Sequence, residues 1–234
     1  MVETPKLVLE ALQSEFTVDF IIVPGDQHPD PEIAELAEEK RVRMFGLAAD
    51  AFANLSDAKT PQPALAIVEL PSLDVDHSFA SESGAGMYLV LVDVADPGNV
   101  GTLIRTAEAT GSSGVIVTPQ TADVFSPKVV RASAGSVLRM PLAEVGLEEL
   151  EATFEHLKVQ SIATAMDGQP YTDVEVDAGK PLALILGSEA HGLAEEVRAL
   201  ADHTVSIPMH GEVESLNVAT TGAVLGFHLA AQRP

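Results

Sequence analysis

The chain has 234 residues, of which 46% are hydrophobic and 21% charged, and a net charge of −22. That length and apolar share suit one large domain or two smaller ones, and the acidity argues against a generic polyanion binder, because phosphate contacts need lysine or arginine. There is no cysteine, which excludes disulfides, thiolate ligands and thiol nucleophiles, and no apolar run reaches the roughly 18 to 20 residues that span a bilayer.

The opening "MVETPKLVLEALQSEF" carries Glu3, Glu10 and Glu15 and no basic leader before an apolar segment. A cytoplasmic chain without a signal peptide is expected. "PKLVLEALQSEF" has helical apolar spacing, "VDFIIVPG" reads as a buried strand ended by Pro-Gly, and "DPEIAELAEEK" as an amphipathic helix with an aspartate cap. "RVRMFGLA" predicts a strand, "ADAFANLSD" a helix and "PALAIVEL" another strand, which makes residues 1–70 a small α/β unit. "PSLDVDHSFASESGAG", residues 71–86, loses the periodicity and collects Pro, Ser, Asp and Gly as a linker does. Its Asp74, Asp76 and His77 form only a loose cluster, and no metal site is expected anywhere in the chain.

Residues 87–234 begin with "MYLVLVDV", a nearly continuous apolar strand of the kind buried on both faces. A helix follows from Asn99 to Ala109, then the strand "GVIVTP", the helix "SPKVVRASAG", "SVLRMPLAEV" as strand and turn, and the helix "LEELEATFEHL". Next come the strands "VQSIATAM" and "PLALILG", the helix "LAEEVRALA", the strand "HTVSIPM" and a final helix from Ser215 to Gln232. Strands alternating with helices predict a mostly parallel sheet covered on both faces.

In open α/β sheets, ligands bind beyond the carboxyl ends of the strands. Three strands here run into glycine and polar residues: "ADPGNVGTLIRTAEATG", "SEAHGL" and "HGEVESLN". Such loops present backbone N–H groups and let a ligand come close to the main chain. Together they predict a ligand site. "GAGMYL" precedes its strand and lacks a third glycine, so it is no dinucleotide fingerprint, and "RASAG" lacks the leading glycine of a nucleophile elbow. One stretch departs from the general acidity. Between Pro97 and Ala143, Arg105, Lys128, Arg131 and Arg139 face only Glu108 and Asp123.

"DPGNVGTLIRTAEATG", "LALILGSEAHGL" and "VSIPMHGEVESLNVATTGAV" resemble the three motifs of the SpoU (TrmH-like) RNA 2′-O-ribose methyltransferases of the SPOUT superfamily, in the family's order and spacing. The third motif, Ile-Pro-Met-x-Gly-x-x-x-Ser-Leu-Asn, is the most specific. The resemblance implies an α/β catalytic domain over residues 87–234 whose carboxyl end is tied in a deep trefoil knot, working as a homodimer. Residues 1–70 resemble, more weakly, the small ribosomal-protein-like RNA-binding domain fused in front of relatives. That domain usually starts with a further helix before a Glu-Gly turn, so the resemblance implies a trimmed domain or a late start here.

The cofactor implied is S-adenosylmethionine, held by Thr164, Ala165, Gly187, Ser188, Gly192, Ile207, Met209, Ser215, Leu216 and Asn217. Arg105, Asn99, Glu189, Ser215 and Asn217 are the implied catalytic set, and Ser215 is the expected cap of the last helix. A free guanidinium stays protonated at physiological pH, so Arg105 is either the family's proposed base or a clamp on the RNA phosphate. Lys128, Arg131, Ser133 and Arg139 are expected to face RNA. The substrate implied is RNA, with large-subunit rRNA favoured over tRNA. A non-catalytic RNA-binding or ribosome-assembly factor of the same fold, and a methyltransferase for a small molecule or protein, remain open.

Overall fold

A computed structural model describes residues 1–56, 62–79, 85–213 and 215–233. The chain starts extended, as β1 (Val2–Glu3), and Thr4 turns it into helix α1 (Pro5–Gln13). The Thr4 hydroxyl accepts from Leu7 N at 3.2 Å, and Pro5 occupies a first-turn position where no N–H is needed. Strand β2 (Val18–Pro24) leads to α2 (Pro31–Glu39), capped by Asp30, which accepts from Glu32 N at 2.9 Å. Strand β3 (Arg43–Leu47), helix α3 (Ala49–Ala53) and strand β4 (Leu65–Val68) complete this part. Its sheet has the order β1-β4-β2-β3, with β2 and β3 parallel and the other pairs antiparallel. β1 was not among the expected strands. Leu7, Val8, Ala11 and Leu12 of α1 and Ile33 and Ala37 of α2 are buried with Ile21, Val23 and Ala66 of the sheet.

The segment expected to be a linker is partly built into the fold. Asp74 caps a short helix, α4 (Val75–Ser78), by accepting from His77 N at 3.0 Å. Glu144 N donates to Leu73 O at 2.8 Å, and the Ser78 hydroxyl donates to Leu142 O at 2.6 Å, so residues 73–78 lie along the edge of the second sheet. Residues 80–84 of that segment lie outside the described residues.

The second sheet alternates with helices: β5 (Met87–Leu91), α5 (Pro97–Ala109), β6 (Gly114–Val117), α6 (Pro127–Ala132) and β7 (Leu142–Glu144). Then follow α7 (Leu150–Leu157), β8 (Gln160–Pro170), β9 (Leu182–Leu186), α8 (Glu195–Arg198), β10 (His203–Ser206) and α9 (Val218–Ala230). All its ladders are parallel, in the order β10-β8-β9-β5-β6-β7. Every residue of β5 and β9 is buried, which is why "MYLVL" and "LALIL" lack polar alternation. Each large aliphatic side chain so buried contributes roughly 1.5–3 kcal/mol.

Two expectations need correction. Ser136–Leu138 is a single 3₁₀ turn, and only Leu142–Glu144 of "SVLRMPLAEV" is strand. The last helix starts at Val218, and its cap is Asn217 instead of Ser215: Asn217 Oδ1 accepts from Ala219 N at 2.9 Å and Thr220 N at 3.3 Å.

One apolar cluster runs through both sheets' coverings, from Val2, Leu7 and Leu12 to Val124, Val130 and Leu138. Phe16 and Phe125 meet edge to face across this junction, with ring centroids 6.1 Å apart. The sheet order reverses between β5 and β9: the chain runs outward through β6 and β7 on one side, then crosses to build β8, β9 and β10 on the other. A crevice beyond the strand ends is expected at such a reversal.

Candidate functional site

Beyond the ends of β9 and β10, and beside the middle of β8, lies a cavity of about 940 Å³. Small-molecule sites typically span about 300–1,000 Å³. Its first wall comes from a break in register. Thr204 of β10 stands opposite Ala163 of β8, but Val205 stands opposite Gln169, so residues 164–168 bow out of the ladder. Thr164 stays tied to the neighbouring strand, its hydroxyl donating to Ile185 O at 3.1 Å.

The second wall is the turn after β9. Gly192 N donates to Ser188 O at 2.8 Å and Ala190 N to the Ser188 hydroxyl at 3.3 Å, which folds residues 188–192 into a tight loop. Gly187 is required by close approach: a Cβ there would lie 2.6 Å from both Gly192 O and Leu193 N. The third wall is made by Ile207, Pro208 and Met209 and by Ser215, Leu216 and Asn217, and Gly211 between them adopts φ +146°, a conformation that side chains rarely accept.

All ten residues expected to hold a cofactor line this one cavity: Thr164, Ala165, Gly187, Ser188, Gly192, Ile207, Met209, Ser215, Leu216 and Asn217. Glu189 lines it too. The residues come from three segments separated in sequence, and the adjacency of β10, β8 and β9 in the sheet is what gathers them.

Asn99 is held at the rim by α5. Asp96 caps that helix, accepting from Asn99 N at 3.0 Å, and this bond, followed by Lys128 at 3.5 Å, holds the Asp96 carboxyl below its ordinary range. The Asn99 side chain links two loops. Its Nδ2 donates to Glu189 Oε1 at 2.6 Å, and its Oδ1 accepts from Asn217 Nδ2 at 3.0 Å. Both ends of this chain fix its direction. An ionised carboxylate only accepts and the N–H groups of α9 only donate, so each amide has one consistent orientation.

Arg105 lies outside this constellation. It is exposed on α5, does not line the cavity, and forms no ion pair among the described residues.

The basic window also reads differently in three dimensions. Arg131 Nη1 donates to the buried Glu3 carboxylate at 3.0 Å, and Arg139 bridges Glu10, at 2.9 Å, and Glu108, at 2.9 Å through its Nη2. The hydrogen bonds from Arg139 hold Glu108 below its ordinary pKa, and the bonds that Arg139 donates to Glu108 and Glu10 push its own guanidinium up. Ser133 is fully buried, its hydroxyl donating to Val130 O at 2.9 Å, so the expectation that it faces RNA does not hold. Arg131 and Arg139 are likewise engaged by carboxylates of the N-terminal part instead of lying free for phosphates. Lys128 stays largely exposed beside Asp96.

Sequence reasoning missed the Asp167–Arg198 pair in the cavity wall, with Arg198 Nη2 at 2.9 and 3.1 Å from the two carboxylate oxygens. Its hydrogen bond lowers the Asp167 pKa. No signal marks it, because the partners come from the bowed strand and from α8. The Asp74–Asp76–His77 cluster is a helix start, and Asp76 pairs with His156 at 3.0 Å. Among the described residues no helix is long and apolar enough to cross a membrane.

Comparison with known proteins gives this geometry a context. The model of the SpoU rRNA Methylase family matches residues 86–227. The 23S rRNA (guanosine(2553)-2′-O)-methyltransferase RlmP of Bacillus subtilis is 33% identical over 233 residues, covering 98% of this chain and 87% of that protein. The 23S rRNA (uridine(2479)-2′-O)-methyltransferase of Streptomyces viridochromogenes is 32% identical, covering 95% and 79%. The crystal structure of the SpoU methyltransferase AviRb from Streptomyces viridochromogenes with AdoMet superposes with a TM-score of 0.89 at 28% identity, covering 98% of this chain and 88% of that one. An AdoMet-bound rRNA methyltransferase from Sinorhizobium meliloti gives 0.83 at 29% identity, covering 96% and 84%. A match over more than half its length, on the segments that build the cavity, means that this chain belongs to the SpoU rRNA methylase family.

Proposed function

We propose that this chain transfers a methyl group from S-adenosylmethionine to a ribose 2′-hydroxyl of RNA, with large-subunit rRNA as the substrate. The observation that carries the reading is the convergence of three separated, glycine-bearing segments on one cavity. The lining suits a nucleoside cofactor. Ile207, Met209 and Leu216 offer apolar surface for a base, close-packed glycine loops offer backbone groups to its edge, and Glu189 offers a carboxylate to a cation. When bound, the cofactor supplies an electrophilic methyl group.

The protein's part is positioning and charge. Holding a hydroxyl in line with an electrophile supplies much of the rate of such a transfer. The Glu189–Asn99–Asn217 chain locks the β9 loop, the start of α5 and the start of α9 into one frame. Ser215, at that frame's edge, positions the hydroxyl. Arg105 clamps an RNA phosphate, and the hydroxyl proton passes to solvent with or after methyl transfer.

The knot belongs to the same reading, supported by the tight passage of Gly187 against Gly192 and of Gly168 against the backbone of Thr204 and Val205. So does a homodimer, supported by the apolar Val224 and Phe227, 36% and 55% exposed on α9. Residues 1–70 act as the substrate-binding unit, joined through 71–86 to the catalytic unit of residues 87–234. The test has two arms. Calorimetry with S-adenosylmethionine yields one site per chain, and ribose-methylation mapping of total RNA from a deletion strain loses a large-subunit rRNA position present in wild type. A protein that binds the cofactor while no position disappears refutes the catalytic reading in favour of an assembly factor.

A further inference from the structure

On the N-terminal sheet, α1 and α2 cover the face that carries Ile21, Met44 and Ala66. Strand alternation turns Phe20, Ile22, Arg43, Phe45 and Ile67 to the other face. The register sets them in rows, with Phe20 between Ile67 and Arg43, and Ile22 beside Phe45. Arg43 is exposed and Phe45 is 47% exposed, a large value for an aromatic side chain.

The groups on this face are already arranged. The rings of Phe20 and Phe45 meet edge to face, with centroids 5.7 Å apart and planes at 84°. The Arg43 guanidinium lies 5.7 Å from the Phe45 centroid. Lys40 and Arg41 turn the chain into β3, Arg41 in the left-handed region at φ 59°. Lys40, Arg41 and Arg43 make up three of the thirteen basic residues within four positions, and none of them forms an ion pair among the described residues. Arg131 and Arg139, by contrast, are bound to carboxylates of this chain.

Aromatic faces accept stacked bases whatever their sequence, and adjacent cations accept the phosphates between them. We propose that this face, with Phe20, Arg43 and Phe45 at its centre and Lys40 and Arg41 at its edge, stacks unpaired nucleobases of the RNA substrate and holds their backbone. The inference rests on the reading that the chain acts on RNA, and adds where an unpaired segment is gripped. An apolar protein partner would leave the three cations without use. A chain of net charge −22 has few other places for a polyanion.

The test uses the full chain, a fluorescent single-stranded oligo(A) RNA and protein-free ribosomal RNA, with anisotropy as the readout. Phe45→Ala weakens binding of both RNAs about five- to 150-fold, the range for losing one base–aromatic stack, while Phe45→Trp preserves it. The combined Lys40→Gln, Arg41→Gln, Arg43→Gln variant flattens the plot of log K against log salt by about 2, since each single-strand phosphate contact contributes about 0.7. S-adenosylmethionine affinity stays at its wild-type value in all three, and the melting temperature falls only in Phe45→Ala, by a few degrees, for the loss of one ring pair worth about 0.5–1.5 kcal/mol. Wild-type RNA affinity in Phe45→Ala and the triple variant overturns the platform and leaves the proposed function standing. Loss of self-association in sedimentation, with RNA affinity unchanged, assigns the face to a second copy and also overturns it. A wild-type protein that binds neither RNA nor S-adenosylmethionine overturns the proposed function, and the platform with it.

Discussion

Replacing Asn217 with alanine removes two things at once: the cap of α9, through Oδ1, and the bond to Asn99, through Nδ2. The cap contributes about 1 kcal/mol, and a half-exposed amide–amide hydrogen bond about 0.5–1 kcal/mol. At about 2–4 °C per kcal/mol for a chain of this size, the melting temperature falls by roughly 3–8 °C. That result alone does not separate fold from function. Asn217→Asp does. Its carboxylate still accepts from Ala219 N and Thr220 N, and a negative charge at a helix start is favourable, so stability stays within about 0.5 kcal/mol of wild type.

The aspartate cannot donate to Asn99 Oδ1, however. If the Asn99 amide turns over to meet it, the same oxygen confronts Glu189 Oε1, which now needs a donor. One acceptor–acceptor contact persists in either orientation. Calorimetry on Asn217→Asp is therefore expected to show cofactor affinity about tenfold weaker at unchanged melting temperature, with turnover lowered as well. Wild-type affinity and turnover in that variant would refute the idea that the three-residue chain frames the site. A wild-type melting temperature in Asn217→Ala would refute the cap.

Gly187→Ala drives a methyl group into the backbone of Gly192 and Leu193; such overpacking costs about 1–3 kcal/mol, and calorimetry is expected to show cofactor binding lost. Arg105→Ala lowers turnover about 100-fold or more, with melting temperature and cofactor affinity unchanged, since Arg105 neither lines the cavity nor pairs with a described carboxylate. Arg139→Ala costs about 1 kcal/mol at neutral pH, because the pairs are partly exposed. Glu108 titrates below its ordinary 4.5 when folded, so its contribution is complete above that pH and disappears as the pH falls through the depressed value. Melting curves of wild type and Arg139→Ala are thus expected to converge in acid. RNA affinity is expected to rise and then fall as salt increases, because the acidic surface repels at long range before local phosphate contacts are screened.

Much of the site was legible because it sits where buried strands end. "LALILG" and "VSIPM" need no knowledge of pairing to be read as strands, and the glycine and polar residues after them mark the ligand side of a parallel sheet. The bowing of residues 164–168 was not legible, since it exists only in the register between β8 and β10. Ser215 and Asn217 are equally good caps by residue type, and only the path of the chain decides for Asn217. β1 is two residues held by β4, more than sixty positions away, and leaves no periodicity. The basic window misled for a similar reason. Arg131 and Arg139 are neutralised by Glu3 and Glu10, which stand 128 and 129 positions earlier and were counted with a different part of the chain.

The distribution of cations explains how so acidic a chain can act on a polyanion. Of the eight basic residues after position 70, Lys128, Arg131, Arg139 and Arg198 pair with carboxylates, and Arg233 donates to the carbonyls of Ala85, Gly86 and Lys180. Most of the positive charge there holds the protein together. The cations left over include Arg105, exposed on α5, and the Lys40–Arg43 cluster at the start of β3. At physiological salt, charges are screened beyond about 8 Å, so the acidic remainder of the surface does not oppose RNA already seated on these groups. It does oppose loose, non-specific adsorption, which is driven almost wholly by counterion release. Discrimination then rests on short-range contacts: stacking, a single guanidinium, and backbone groups in glycine loops whose geometry the parallel sheet sets.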